Sequence, residues 1–203
     1  ETAIAQARVN GVEVIGDIDL FVCATDKPII AITGSNGSGK STLLQVIAGA
    51  ITHNEGGIKM TLNGSLLLEE NCYQYLSVAA PYLELIEEMT AIEFLSFHAA
   101  FKPLTCPIET ILSLTNLEKA AHKQIRYYSS GMKQRLKLAQ AFFSTSPVLL
   151  LDEPTTNLDA QGTAWYADLI TQFGGQRSIV VASNVEADYA FCEGKVDIRE
   201  YKK

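Results

Sequence analysis

The chain has 203 residues, of which 47% are hydrophobic and 19% charged, with a formal net charge of −7. That composition supplies one packed domain and excludes a disordered chain, and the acidic balance argues against general affinity for nucleic acid or anionic membranes. No apolar run approaches the roughly 18 residues of a spanning helix and no signal-peptide pattern is read, so membrane association is expected only through a partner, with no direct insertion. The four cysteines, Cys23, Cys72, Cys106 and Cys192, are scattered without a C-x-x-C pair. They read as thiols of a reducing compartment.

In chain order, Asp19–Cys23 and Ile29–Thr33 are expected strands around a turn holding Pro28. The second strand runs into Gly34-Ser35-Asn36-Gly37-Ser38-Gly39-Lys40-Ser41-Thr42, and Leu43–Ala48 continues as a helix that Gly49 ends. Strand, glycine turn and helix with G-x-x-x-x-G-K-[ST] spacing form a phosphate-binding P-loop. Glycines let successive N–H groups close around an anion, and the helix N-terminus adds positive potential. Lys40 would reach the β- and γ-phosphates, and the Ser41 hydroxyl would hold Mg²⁺.

Lys59–Leu62 and Ser65–Leu68 flank Asn63-Gly64, a two-residue hairpin signal. Antiparallel strands beside a P-loop point to a mixed sheet. Tyr75–Ala80 reads as a buried strand stopped by Pro81. Residues 83–128 then turn helical, with Thr90 capping an amphipathic run and Pro103 and Pro107 breaking it. Lying between strands, this block is expected to be a helical lobe inserted in a single domain over 1–203.

Met132–Phe143 is expected to be helical. Val148–Leu151 is the continuous apolar run of a strand buried on both faces, and it ends in Asp152-Glu153. Carboxylates at the C-terminal end of such a strand sit where α/β sheets bind ligands. Because side chains alternate, the two need not point the same way, and one can serve a metal while the other faces attacking water. Ala160–Phe173 reads as a helix, Ser178–Ser183 as the last core strand and Val196–Tyr201 as an edge strand, with Lys202-Lys203 solvated.

One stretch discriminates among P-loop proteins. Tyr128-Ser129-Ser130-Gly131-Met132-Lys133-Gln134-Arg135-Leu136 resembles the L-S-G-G-Q signature and basic helix of ATP-binding cassette (ABC) ATPases. It stands just before the Asp-Glu strand, and Pro154–Asp159 looks like that family's D-loop. The resemblance covers about Asp17 to Asp159. It implies an α/β P-loop NTPase fold of ABC type, with a mixed sheet core, an antiparallel portion and an inserted helical subdomain. It also implies a nucleotide-binding subunit that hydrolyses ATP to power an ABC transporter of bacterial type.

In that resemblance the subunit forms a head-to-tail dimer with itself or a homologous ATPase. Ser129, Ser130, Gly131 and Met132 of one chain would close over ATP on the other chain's P-loop. Glu153 would be the general base, Asp152 would support Mg²⁺ with Ser41, and Asp159 would link the two sites. The helical lobe would dock on transmembrane permease subunits, which would keep the protein cytoplasmic and peripheral at the inner face of the membrane. An alternative is an ATP-dependent dimerising clamp with weak hydrolysis, regulatory or in a soluble complex. Soluble relatives carry two cassettes or long coiled-coil insertions, and neither is visible here. A P-loop kinase would leave Ser129–Met132 without a role.

Four positions depart from the family pattern. Arg8-Val9-Asn10-Gly11 stand where an aromatic residue usually stacks on adenine. The signature has Ser130 for Gly and Met132 for Gln. Ala80-Pro81-Tyr82 follow the strand where a glutamine is expected, Gln74 lies at its wrong end, and Glu84 and Glu87 are candidate substitutes. Asn184 takes the place of the switch histidine, so it can donate a hydrogen bond to phosphate but carries no charge.

Overall fold

A computed structural model describes residues 12–15, 29–52, 57–62, 65–175 and 177–201. The expected strand Asp19–Cys23, the residues Arg8–Gly11, the turn Asn63-Gly64, and Cys23, His53 and Lys202-Lys203 lie outside these residues. Val12–Ile15 (β1), Gly57–Leu62 (β3) and Ser65–Leu67 (β4) form a three-stranded antiparallel sheet in the order β1-β3-β4. Ile29–Thr33 (β2), Leu76–Ala79 (β5), Val148–Asp152 (β6), Ser178–Ala182 (β7) and Gly194–Asp197 (β8) form a second sheet. Its order is β5-β6-β7-β2-β8, and every pairing is parallel. The mixed character expected from the sequence thus resides in two sheets, a parallel core and an antiparallel flank.

The parallel sheet is buried on both faces, as its unbroken apolar runs require. Leu149, Leu151, Ile179 and Val181 face a cluster with Phe94, Leu112, Leu136, Phe142 and Tyr166. The alternate residues Val148, Leu150, Val180 and Ala182 face Leu44, Ile47 and Met60 instead. At about 1.5–3 kcal/mol per fully buried large aliphatic side chain, β6 and β7 anchor the fold.

Helices cover both faces: Lys40–Ile47 (α1), Ala91–Ala99 (α2), Ile108–Leu114 (α3), Ser130–Phe142 (α4), Ala160–Phe173 (α5) and Glu186–Tyr189 (α6). Thr90 and Glu93 form a reciprocal capping box at α2, the device that fixes where that helix starts. Ser129 caps α4 through its hydroxyl, which accepts from the Met132 N–H at 3.2 Å. The helix therefore begins at Ser130, two residues before the expected Met132. Across 83–128 the chain forms α2, α3 and two short 3₁₀ turns, and its apolar residues join the same cluster as β6 and β7. Trp165 of α5 donates to the Leu114 carbonyl at 2.7 Å and lies under the Arg135 guanidinium of α4 at 4.6 Å. None of the described helices is long and apolar enough to cross a membrane.

The last strand differs from expectation. β8 covers Gly194–Asp197, and Ile198–Tyr201 is a 3₁₀ turn. The Asp197 carboxylate accepts from the Arg199 N–H at 3.0 Å and from its guanidinium. This local bond turns the backbone out of the ladder.

Candidate nucleotide site

Parallel register decides what meets at the sheet's C-terminal edge. Ile32 pairs with Ala182, which pairs in turn with Asp152, so the segments leaving β2, β6 and β7 emerge side by side. These are the P-loop, the turn at Glu153 and the turn at Asn184. Such a crevice is where open α/β sheets bind ligands.

The P-loop glycines have structural reasons. Gly34 (φ 149°) and Gly39 (φ 92°) adopt backbone shapes that disfavour side chains, and a Cβ on Gly34 would lie 2.7 Å from Ser38 Oγ and 2.9 Å from Ile198. Gly37 (φ 73°) also adopts a left-handed shape, though a Cβ there would meet no neighbour. Lys40 is buried, and its Nζ donates to the Gly34 and Ser35 carbonyls at 3.0 and 3.2 Å. The ammonium is thereby held across the mouth of its own loop.

Asn36, Gly37, Ser38, Gly39, Lys40, Ser41, Thr42 and Glu153 line one cavity of about 250 Å³. Glu153 is the first residue past β6 and has φ 42°, a strained left-handed shape for a non-glycine. Its N–H donates to the Ala182 carbonyl at 2.9 Å and its carboxylate accepts from Thr156 at 3.4 Å, so both ends are fixed. Asp152 is only 1% exposed, and its Oδ1 has no hydrogen-bond partner among the described residues. Burial pushes its pKa up; the Ser41 hydroxyl pulls it down, the Glu153 charge raises it and Lys40 lowers it. A buried carboxylate oxygen without a proton donor, beside a hydroxyl, suits a hard divalent cation such as Mg²⁺.

That unpartnered oxygen gives a prediction. Asp152→Asn removes a buried charge that the Ser41 hydroxyl and Lys40 offset only in part. It is expected to raise the melting temperature of the ligand-free protein by about 2–4 °C, as about 1 kcal/mol does in a domain of this size. The same change is expected to weaken Mg²⁺-dependent nucleotide binding. Calorimetric melting with and without Mg²⁺-nucleotide checks both signs.

Asn184 is joined to the P-loop directly, its Nδ2 donating to Asn36 Oδ1 at 3.0 Å. The positions that follow β5 are also engaged. The Lys137 ammonium of α4 donates to the Pro81 carbonyl at 2.8 Å, and Lys133 pairs with Glu87. Glu87 therefore faces α4, and Glu84 lines the same cleft as Lys133 and Lys137. Tyr82, which sequence reasoning passed over, lies near enough to feel the Asp152 charge. Burial raises its pKa, the nearby Asp152 charge raises it further, and a hydrogen bond with Gln45 of α1 lowers it. Only its place after Pro81 hinted at this.

The signature residues lie apart from the P-loop cavity. Ser129 and Ser130 are exposed, Gly131 and Met132 half-buried, and Ser130 lines a different cleft of about 400 Å³ with Glu87, Lys133 and Asn157. A Cβ on Gly131 would meet the Asn157 carbonyl at 3.2 Å, so glycine is what lets α4 approach the turn beyond Glu153. Gln134 strengthens that approach by donating to the Pro154 carbonyl at 2.8 Å. Asp159 caps α5, accepting from the Gly162 N–H at 2.7 Å.

A parallel sheet whose C-terminal edge carries a P-loop and paired carboxylates defines a P-loop nucleotide-binding domain. The sequence profile of the ABC transporter family matches residues 19–156. The chain therefore belongs to that family, as its nucleotide-binding ATPase domain. It is 36% identical over 164 residues to the ABC transporter ATP-binding protein YxlF of Bacillus subtilis, covering 78% of this chain but 54% of that protein. It is 30% identical over 166 residues to the cytochrome c biogenesis ATP-binding export protein CcmA of Agrobacterium fabrum, covering 78% of this chain and 76% of that one. Among solved structures, an ATP-binding subunit of an ABC transporter superposes with TM-score 0.73 at 24% identity, covering 91% of this chain and 80% of that one. The dimeric ATP-binding cassette MJ0796 bound to ADP and Pi gives TM-score 0.74 at 20% identity, covering 93% of each.

Proposed function

We propose that the chain binds ATP along Gly34–Thr42 and hydrolyses it as the nucleotide-binding subunit of a transporter. The observation that carries this reading is the shared cavity in which Glu153 faces the P-loop residues. Backbone N–H groups and Lys40 hold the phosphates, and Ser41 with Asp152 would hold Mg²⁺, which when bound would offset phosphate negative charge. Glu153 takes the proton from a water as that water's oxygen bonds to the γ-phosphorus; the bond from the γ-phosphorus to the bridging oxygen breaks, that oxygen stays on ADP, and inorganic phosphate is released. Asn184 supplies a neutral hydrogen bond near the γ-phosphate.

The Ser129–Met132 turn, exposed at Ser129 and Ser130, completes the site on a second copy or a homologous ATPase, with Asp159 at the junction. An exposed helix N-terminus gives it the right character for an anion. The 83–128 lobe faces permease subunits and passes nucleotide-driven closure to them, which places the protein at the inner face of the membrane. The relation to YxlF and CcmA supports this assignment. Phosphate release from Mg²⁺-ATP tests it, measured for the chain alone and with the membrane protein that co-purifies with it. Turnover that rises with the partner is expected. No phosphate release in either condition would refute the reading.

A further inference from the structure

The residue that ties the two turns of the site together is Asp188, on α6. Its side chain is 1% exposed, yet it carries a carboxylate whose two oxygens serve different segments. Oδ1 accepts from the Thr155 hydroxyl at 2.5 Å, two residues beyond Glu153. Oδ2 accepts from the Ser183 hydroxyl at 2.6 Å, the residue before Asn184. Ser183 Oγ in turn accepts from the Val185 N–H at 3.0 Å, so Asn184 is bracketed on both sides. The Tyr166 hydroxyl, fully buried on α5, donates to the Asp188 carbonyl at 3.0 Å and fixes the backbone of α6.

We propose that Asp188 is a positioning residue for hydrolysis, whose carboxylate locks the turn after β6 to the turn after β7 and so sets Glu153 and Asn184 relative to each other beside the P-loop. Two hydrogen bonds from opposite sides make the carboxylate a bridge. A neutral alanine or a one-sided donor cannot replace it. Burial works against the charge and the Glu153 carboxylate adds to that, while the Ser183 and Thr155 hydroxyls offset it. A buried carboxylate held mainly by hydroxyls is costly. Bridging gives that cost a use, because neither turn can shift without breaking a bond to an ionised oxygen. Displacement of a catalytic group by about 1 Å is enough to cost much of its rate.

The inference rests on the roles proposed for Glu153 and Asn184. Its test is steady-state hydrolysis of Mg²⁺-ATP by the full chain, well below the melting temperature of each variant. Thr155→Val and Ser183→Ala each remove one arm, Asp188→Asn removes the charge, and the double variant Thr155→Val/Ser183→Ala removes both arms. Each single change is expected to lower kcat about tenfold with KM for ATP kept within about twofold. The double variant should fall well short of the product of the two single losses, because both arms act through one carboxylate. Should Asp188→Asn fail to fold, the single-arm variants and their double decide, the double then being required to fall short of the product of the two. Unchanged kcat, a loss carried by KM, or independent multiplication of the two arms would overturn the proposal. Undiminished turnover in Glu153→Gln would instead remove the general-base reading beneath it.

Discussion

Glu153→Gln is expected to lower the rate of ATP hydrolysis by about 10²–10⁴-fold, the usual contribution of a positioned general base. Nucleotide affinity should stay within a few-fold. The separation follows from geometry: Glu153 lines the cavity, while the loop amides and Lys40 are the groups proposed to grip the phosphates. Glutamine preserves size and the bond from Thr156 but cannot take a proton. The positive φ at Glu153 is a backbone property of the turn, and the N–H bond to Ala182 that accompanies it survives the change. Single-turnover phosphate release alongside fluorescent-nucleotide binding checks both halves. Loss of binding together with hydrolysis would instead mean that the side chain grips the ligand.

Lys40→Ala should do the reverse and weaken binding first. Lys40 Nζ already spans the loop through the Gly34 and Ser35 carbonyls, so the charge waits beside the phosphate path. A hydrogen bond to a charged group contributes about 1.5–3 kcal/mol, or about 10- to 150-fold in affinity. The variant also frees two carbonyls of the loop, so its melting temperature is expected to fall modestly. Titration calorimetry with ATP and Mg²⁺ gives the affinity directly. A Kd within threefold of the parent would show that the backbone amides suffice.

What could be read from the residues was whatever local chemistry encodes. Gly34, Gly37 and Gly39 are glycines because a turn demands them, and Val148–Leu151 is apolar because both faces of β6 are covered. Thr90 and Pro107 mark helix starts by their own bonding preferences. The Ser129 cap could have been read the same way, since a serine before a helical run names the first turn. The remainder depended on long-range neighbours. Tyr82 feels the Asp152 charge because β5 and β6 pair in register, and Asp188 bonds both Ser183 and Thr155, the latter 33 residues earlier in the sequence. Asp197 bends the chain out of β8 through a side chain that sequence periodicity treats as neutral. The cleft that holds Glu84 and Glu87 exists only once α4 brings Lys133 and Lys137 alongside.

In the proposed dimer, the site on one chain is completed by Ser129–Met132 of another. Light scattering of the Glu153→Gln protein with saturating Mg²⁺-ATP tests it most directly, because a variant that binds without hydrolysing should trap the closed pair. The mass is expected to double on adding ATP, and to remain that of one chain when Ser130→Glu is also present, since a carboxylate there would oppose the γ-phosphate. A protein saturated with nucleotide that stays a single chain would contradict the account.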